Sequence, residues 1–223
     1  MEQGTQRVED FELGEPVLVC RWRLAGGRLP LENRHLRALS ARSVAGHGVT
    51  TQLLSWAKQH IEWTLKDGSA ENPDGVLMIA MDEQGRAAMS VGPYAALAGS
   101  DPAALLARAE DARREGGETG IAPETLWAVR DGALVCGLAE DAVAHGAASL
   151  VMDLARTLGY EVRRDEGLLR ELGGEATEAG CADELFLVSD EHGIVPAAGA
   201  SGDVAERFFA AYAKLLDSER AKH

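Results

Sequence analysis

The chain has 223 residues, 46% hydrophobic and 26% charged, which suits a globular protein with a substantial core, in one large domain or two small ones. A formal net charge of -14 argues against nucleic acid and anionic membrane as partners, since both need a concentrated basic surface; solubility accounts for most of the acidity. No apolar run approaches the roughly 20 residues of a membrane helix, and the opening MEQGTQRVEDFELGE lacks a basic segment followed by an apolar one, so a cytoplasmic protein is expected.

From Pro16 to Leu24 the chain reads as a strand, Ala25-Gly26-Gly27 as a turn, and Leu36 to about Ala45 as a short arginine-rich helix. Thr51 stands where a cap would open a second helix, with Leu54, Ala57, Ile61 and Leu65 on one stripe. Val76 to Met81 and Ala87 to Val91 flank Asp82-Glu83-Gln84-Gly85, a hairpin signal. The low-charge stretch from Val91 to Asp101 marks a boundary, and a polar helix from Pro102 to Glu115 follows it. Leu126 to Val129 and Ala133 to Cys136 form another hairpin around Arg130-Asp131-Gly132. Val143, Ala147, Leu150, Val151, Leu154 and Leu158 recur at helical spacing up to Gly159, where a left-handed C-cap is needed. Tyr160 to Val162 and Leu185 to Val188 read as strands joined by a helical or turn connection over Glu166 to Glu178. Ile194 and Val195 suggest a short strand, and a last helix from Asp203 carries Val204, Phe208, Ala211, Tyr212 and Leu215 on one face.

These elements divide into an N-terminal α+β domain over residues 1–95, an interdomain segment over 96–117 and a C-terminal α/β domain over 118–223. Three cysteines, Cys20, Cys136 and Cys181, are widely spaced and odd in number, which fits buried free thiols rather than a disulfide framework or a paired zinc site.

Several stretches resemble one family when taken in order. VCRWRLAGGRLPLENRHLRAL (Val19 to Leu39) joins a strand, a turn, an apolar segment and a His-Leu helix. LWAVRDGALV (Leu126 to Val135) leads to HGAASLVMDLARTLGYEV (His145 to Val162), and ADELFLVSDEHGIVP (Ala182 to Pro196) precedes the last helix. Together they resemble the class IV aminotransferases, the fold-type IV enzymes that include aminodeoxychorismate lyases and the branched-chain and D-amino-acid aminotransferases. The resemblance implies a two-domain α+β architecture with a cleft between the domains, pyridoxal phosphate as the family cofactor, and a homodimer.

The cofactor positions are changed. Chemistry through pyridoxal phosphate needs a lysine for the Schiff base, an acid beside the pyridine nitrogen and donors for the phosphate. The only lysines are Lys58, Lys66, Lys214 and Lys222, none in the central region. By the resemblance, the phosphate-binding arginine of the His-Leu helix falls on Ala38, with Arg37 and Arg42 nearby. The pyridine-facing glutamate falls on Gly120, with Glu118 two residues away. The Gly-Ile-Thr-Arg turn becomes Gly146-Ala147-Ala148-Ser149, and the threonine pair becomes Asp190 and Glu191, which would repel a phosphate. The segment from Pro93 to Glu118 is compressed where the lysine strand should run. Pyridoxal phosphate is therefore expected not to bind.

The cleft candidates are Arg21, Arg23, Arg37, Gly146, Asp190, Glu191 and His192. Arg21 and Arg23 lie on one side of a strand, and two guanidiniums there suit a small carboxylate-bearing molecule. The plainer reading pairs them with Asp190 and Glu191. The adjacency of Asp190, Glu191 and His192 suits a solvated turn better than a metal site, and no metal is expected. His35 reads as a helix-start residue, His145 as surface, Trp127 as core, and Trp56 with Trp63 as core or a dimer surface.

The first functional reading is a class IV aminotransferase-like protein that has lost its cofactor and transaminase activity, serving as a cofactor-free small-molecule-binding or interaction protein. A second is a divergent pyridoxal-phosphate aminotransferase or aminodeoxychorismate lyase-like enzyme on an amino or keto acid, with a lysine from elsewhere. A third is a cofactor-independent enzyme reusing Arg21, Arg23, Asp190 and His192 as binding and acid–base groups.

Overall fold

The computed structural model describes residues 12–174 and 182–222; Cys181 and the end of the 166–178 connection lie outside the described residues. β1 (Pro16–Arg23) alternates, with Leu18, Cys20 and Trp22 turned into a core and Arg21 turned away from it. α1 (Glu32–Ser40) begins earlier than the sequence suggests, directly after Leu31 at φ 61, and Glu32 places an acid in its first turn. It also stops short of Ala45. Ala45 (φ 49) and Gly46 (φ 77) both adopt left-handed conformations, making the tip of a small hairpin of β2 (Ser43–Val44) and β3 (His47–Gly48).

Thr50, rather than Thr51, caps α2 (Thr51–Gly68), its hydroxyl oxygen accepting from Leu53 N at 3.2 Å. β4 (Val76–Asp82) and β5 (Ala87–Gly92) pair as the expected hairpin. With β1 they make an antiparallel sheet in the order β1-β4-β5. α1 and α2 close its core around Trp22, Leu39, Ile61, Leu77 and Ile79.

α3 (Pro102–Thr119) opens at Asp101, whose carboxylate accepts from Ala104 N at 3.0 Å, and ends at Gly120 with φ 88. Most of the segment 96–117 is this helix, which buries Leu105 and Ala109 against β6 (Glu124–Arg130). Gly116 permits the close approach, since a Cβ there would lie 2.7 Å from Ala122 N.

β7 (Ala133–Cys136) follows, then α4 (Gly146–Leu158), which ends at Gly159 with φ 78. Val143 precedes α4 and is exposed, so it does not share the helix stripe. β8 (Val162–Arg164) lies two residues later than the predicted strand, because pairing parallel to β7 sets Val162 opposite Leu134. α5 (Leu168–Gly173), β9 (Glu184–Ser189), β10 (Gly193–Pro196) and α6 (Asp203–Arg220) complete the described chain.

The second sheet has five strands in the order β10-β9-β6-β7-β8. α4 and α6 cover one face around Val151, Phe186 and Phe208, while α3 and α5 cover the other around Leu105, Leu126 and Leu168. Cover on both faces explains why β6 is buried continuously from Glu124 to Val129 instead of alternating. Full burial of a side chain such as Phe186 or Phe208 is worth about 1.5–3 kcal/mol, so this double layer is a main source of stability. Among the described residues, no helix is long and apolar enough to cross a membrane.

Candidate functional site

The two sheets meet where β1 lies against the turn between β9 and β10. Arg23 N donates to Asp190 O at 3.2 Å, and Asp190 N donates to Pro123 O at 3.3 Å. Asp190 is drawn inward. Its Oδ1 accepts from Ala147 N at 2.7 Å in the first turn of α4, and its Oδ2 lies 3.7 Å from His35 Nδ1. His35 is 2% exposed and stacks on Trp22 with centroids 5.0 Å apart. Burial works to raise the pKa of Asp190, but the His35 ring, the Ala147 amide and Arg42 outweigh it and hold the carboxyl below its ordinary range. Gly146 makes the approach possible: its φ is 50, and a Cβ there would lie 2.1 Å from Asp190 Oδ1.

Beside Asp190 is a pocket of about 170 Å³ whose charged walls are Arg21 of β1, Arg108, Asp111 and Glu115 of α3, Glu124 of β6, and Glu191 of the turn. Arg108 clamps Glu124 with bonds of 3.0 and 2.6 Å. Ser189 Oγ donates to Glu124 at 2.9 Å and accepts from His192 N at 3.0 Å, which orders the turn. Arg21, with a side chain 53% exposed, reaches Glu191 at 4.0 Å. Burial raises the pKa of Glu191, with Arg21 and Arg108 offsetting part of the rise. Counting Asp190, five carboxylates and two guanidiniums line the pocket, so its field is acidic. Arg42 is buried behind it, donating to Glu115 at 2.9 Å and to Thr119 at 2.8 Å.

Arg23 takes a different environment from Arg21. Its Cζ lies 3.3 Å from the Tyr94 ring centroid, its Nε is buried with no hydrogen-bond partner, and burial lowers its pKa. Among the described residues no carboxylate forms an ion pair with it. His192 is packed nearby, its Nδ1 3.4 Å from Tyr94 Oη. Burial first, then the positive charge of Arg108, brings the His192 pKa down to about 4. Tyr212 of α6 packs against Gly193, where a Cβ would lie 2.1 Å from its ring, and burial, then Asp190, raises its pKa.

Arg21, Arg23, Gly146, Asp190, Glu191 and His192 thus come together, whereas Arg37 is exposed on α1 and lines no wall of the pocket. Tyr94, Arg108, Glu124 and Tyr212 belong to the same neighbourhood and are not among the cleft candidates the sequence offers; Tyr212 reads there as core, and Arg108 as one more polar residue of a wet helix. Among the described residues, no group of three His, Cys, Asp or Glu is placed to hold a metal. Cys20 and Cys136 are buried thiols raised by burial to about 11, which removes them as nucleophiles at neutral pH.

The sequence matches no family model and no curated protein. Solved structures do share its fold. One described as a 4-amino-4-deoxychorismate lyase from Legionella pneumophila superposes with a TM-score of 0.57 over 93% of this chain and 97% of its own, at 10% identity. The branched-chain amino acid aminotransferase of Escherichia coli gives 0.54 over 94% and 91%, at 16% identity. An aminotransferase from Brucella abortus, bound to pyridoxal phosphate, gives 0.53 over 93% and 94%, at 16% identity. The fold is that of the class IV aminotransferases.

On this class IV aminotransferase fold, the three positions assigned to the cofactor by resemblance offer no charged or hydroxyl group. Ala38 is buried on α1 and Ala148 is buried in the first turn of α4. Gly120 caps α3, and a Cβ there would lie 3.0 Å from Ala41 O. Lys58 and Lys66 are exposed on α2, Lys214 on α6, and Lys222 near the C-terminus.

Proposed function

We propose that this class IV aminotransferase-like chain works without pyridoxal phosphate, as a cofactor-free binding protein rather than a transaminase or lyase. The observation that carries this reading is the make-up of the interface pocket: five carboxylates, two guanidiniums and no lysine on its walls. The residues present do not fit the cofactor. Its phosphate would meet the Asp190 carboxylate at the start of α4, and its aldehyde has no amine within the interface to condense with. The test is an absorbance titration of the purified protein with pyridoxal phosphate, followed by borohydride reduction and mass mapping. We expect no adduct above the background of free surface lysines; a stoichiometric adduct on one of the four lysines would overturn the reading.

What is bound is proposed from Arg23. A guanidinium with a buried, partnerless Nε, resting on Tyr94, favours a small carboxylate-bearing molecule over a purely structural ion pair. Thermal unfolding with a series of mono- and dicarboxylates should show a rise in midpoint that Arg23→Gln abolishes. An identical response in that variant would assign the effect to another site.

A further inference from the structure

Two helices of this chain begin on a carboxylate, one supplied by β9 and the other by the turn that follows it. At α6, Glu184 accepts from Val204 N at 3.2 Å and from Ala205 N at 2.7 Å. This is ordinary capping by an acid at the positive end of a helix. The start of α4 differs. Asp190 Oδ1 accepts from Ala147 N at 2.7 Å. His35, 2% exposed, aims Nδ1 at Asp190 Oδ2 from 3.7 Å, and that nitrogen is buried without a hydrogen-bond partner. Gly146 leaves clear the volume that any side chain would take, its Cβ position being 2.1 Å from Asp190 Oδ1.

A backbone amide at the head of a 13-residue helix, a buried imidazole nitrogen and a glycine-cleared space are the components of a small-oxyanion site. We infer that they form an anion-binding cup that the chain fills with its own Asp190 carboxylate, pinning the β9–β10 turn to α1 and α4 and closing the cup to an outside phosphate or carboxylate. The tether explains the exclusion. Asp190 is held in place by its backbone bonds to β1 and to Pro123, so its effective concentration far exceeds that of a dissolved anion. Removing the side chain leaves amide and imidazole unsatisfied and the space open, and a free oxyanion then has a place to bind.

The experiment is thermal unfolding of wild type, Asp190→Gly and Asp190→Asn in increasing inorganic phosphate, with sodium chloride controls at matched ionic strength. Asp190→Gly is expected to unfold at a lower temperature and to recover about 3 °C or more as phosphate rises into the tens of millimolar. Wild type and Asp190→Asn, whose cup stays filled, should follow the chloride control. An Asp190→Gly midpoint that ignores phosphate, or a wild type that shows the same rise, would overturn the cup. If Asp190→Gly does not fold, Asp190→Asn, His35→Gln and the double variant decide: losses in midpoint that fail to add support the cup, and additive losses reject it. The result is independent of the cofactor titration. A lysine adduct there would leave the cup standing, and an unresponsive Asp190→Gly would leave the cofactor-free reading intact.

Discussion

His192 has its protonation set by where the fold puts it. The side chain is 5% exposed, and burial with the nearby Arg108 brings its pKa from 6.5 to about 4. In the unfolded chain the ring takes up its proton near its ordinary pKa, while the folded chain resists until about pH 4. The unfolded state therefore binds more protons across this window, and stability rises with pH through it. Between pH 7 and pH 4 the His192 contribution amounts to about 2–3 kcal/mol lost on acidification. Urea unfolding at several pH values should show a shallower acid limb in His192→Gln than in wild type; equal slopes would mean that the ring is protonated in the folded protein as readily as outside it.

At the scale of elements, α3 is held to β6 by a pair with unequal exposure. Arg108 is 39% exposed and Glu124 only 8%, so removing the arginine leaves a carboxylate inside the interface with Ser189 as its remaining side-chain donor. Arg108→Met is expected to cost about 3 kcal/mol, as for other broken buried pairs, whereas the double change with Glu124→Gln should cost less than the single one. Denaturant midpoints of the four proteins test this. A single variant as stable as wild type would show that water already reaches Glu124.

For the whole molecule, the outer face of α2 is the place to look for self-association. Trp63 is 54% exposed and meets His60 edge-on at 5.1 Å, with Trp56 on the ring's other side at 4.6 Å. A chain of net charge -14 repels its copies except at such neutral, aromatic faces. Sedimentation at micromolar concentrations should give a dimer that Trp63→Glu dissociates; a wild-type monomer would remove the expectation of a homodimer.

Most of the architecture was legible in the order of the residues. The spacing of Leu54, Ala57 and Ile61, the hairpin at Asp82 to Gly85, and the C-cap at Gly159 are local signals whose physics acts within a few residues, and all appear in the structure. Local signals also misled near Ala45, where a polar run reads as helix until two consecutive left-handed residues fold it into a hairpin. Motif order likewise pointed to the class IV aminotransferase fold, because strand and helix register survive when side-chain chemistry changes. Which side chains meet is settled by long-range packing. Arg21 and Arg23 are two residues apart on one face, yet Arg21 faces Glu191 and Arg23 lies on Tyr94. Asp190, Gly146 and His35 come from three distant segments. Their shared cup exists because the β9–β10 turn docks against β1, α1 and the start of α4, a meeting of distant segments that sequence spacing does not encode.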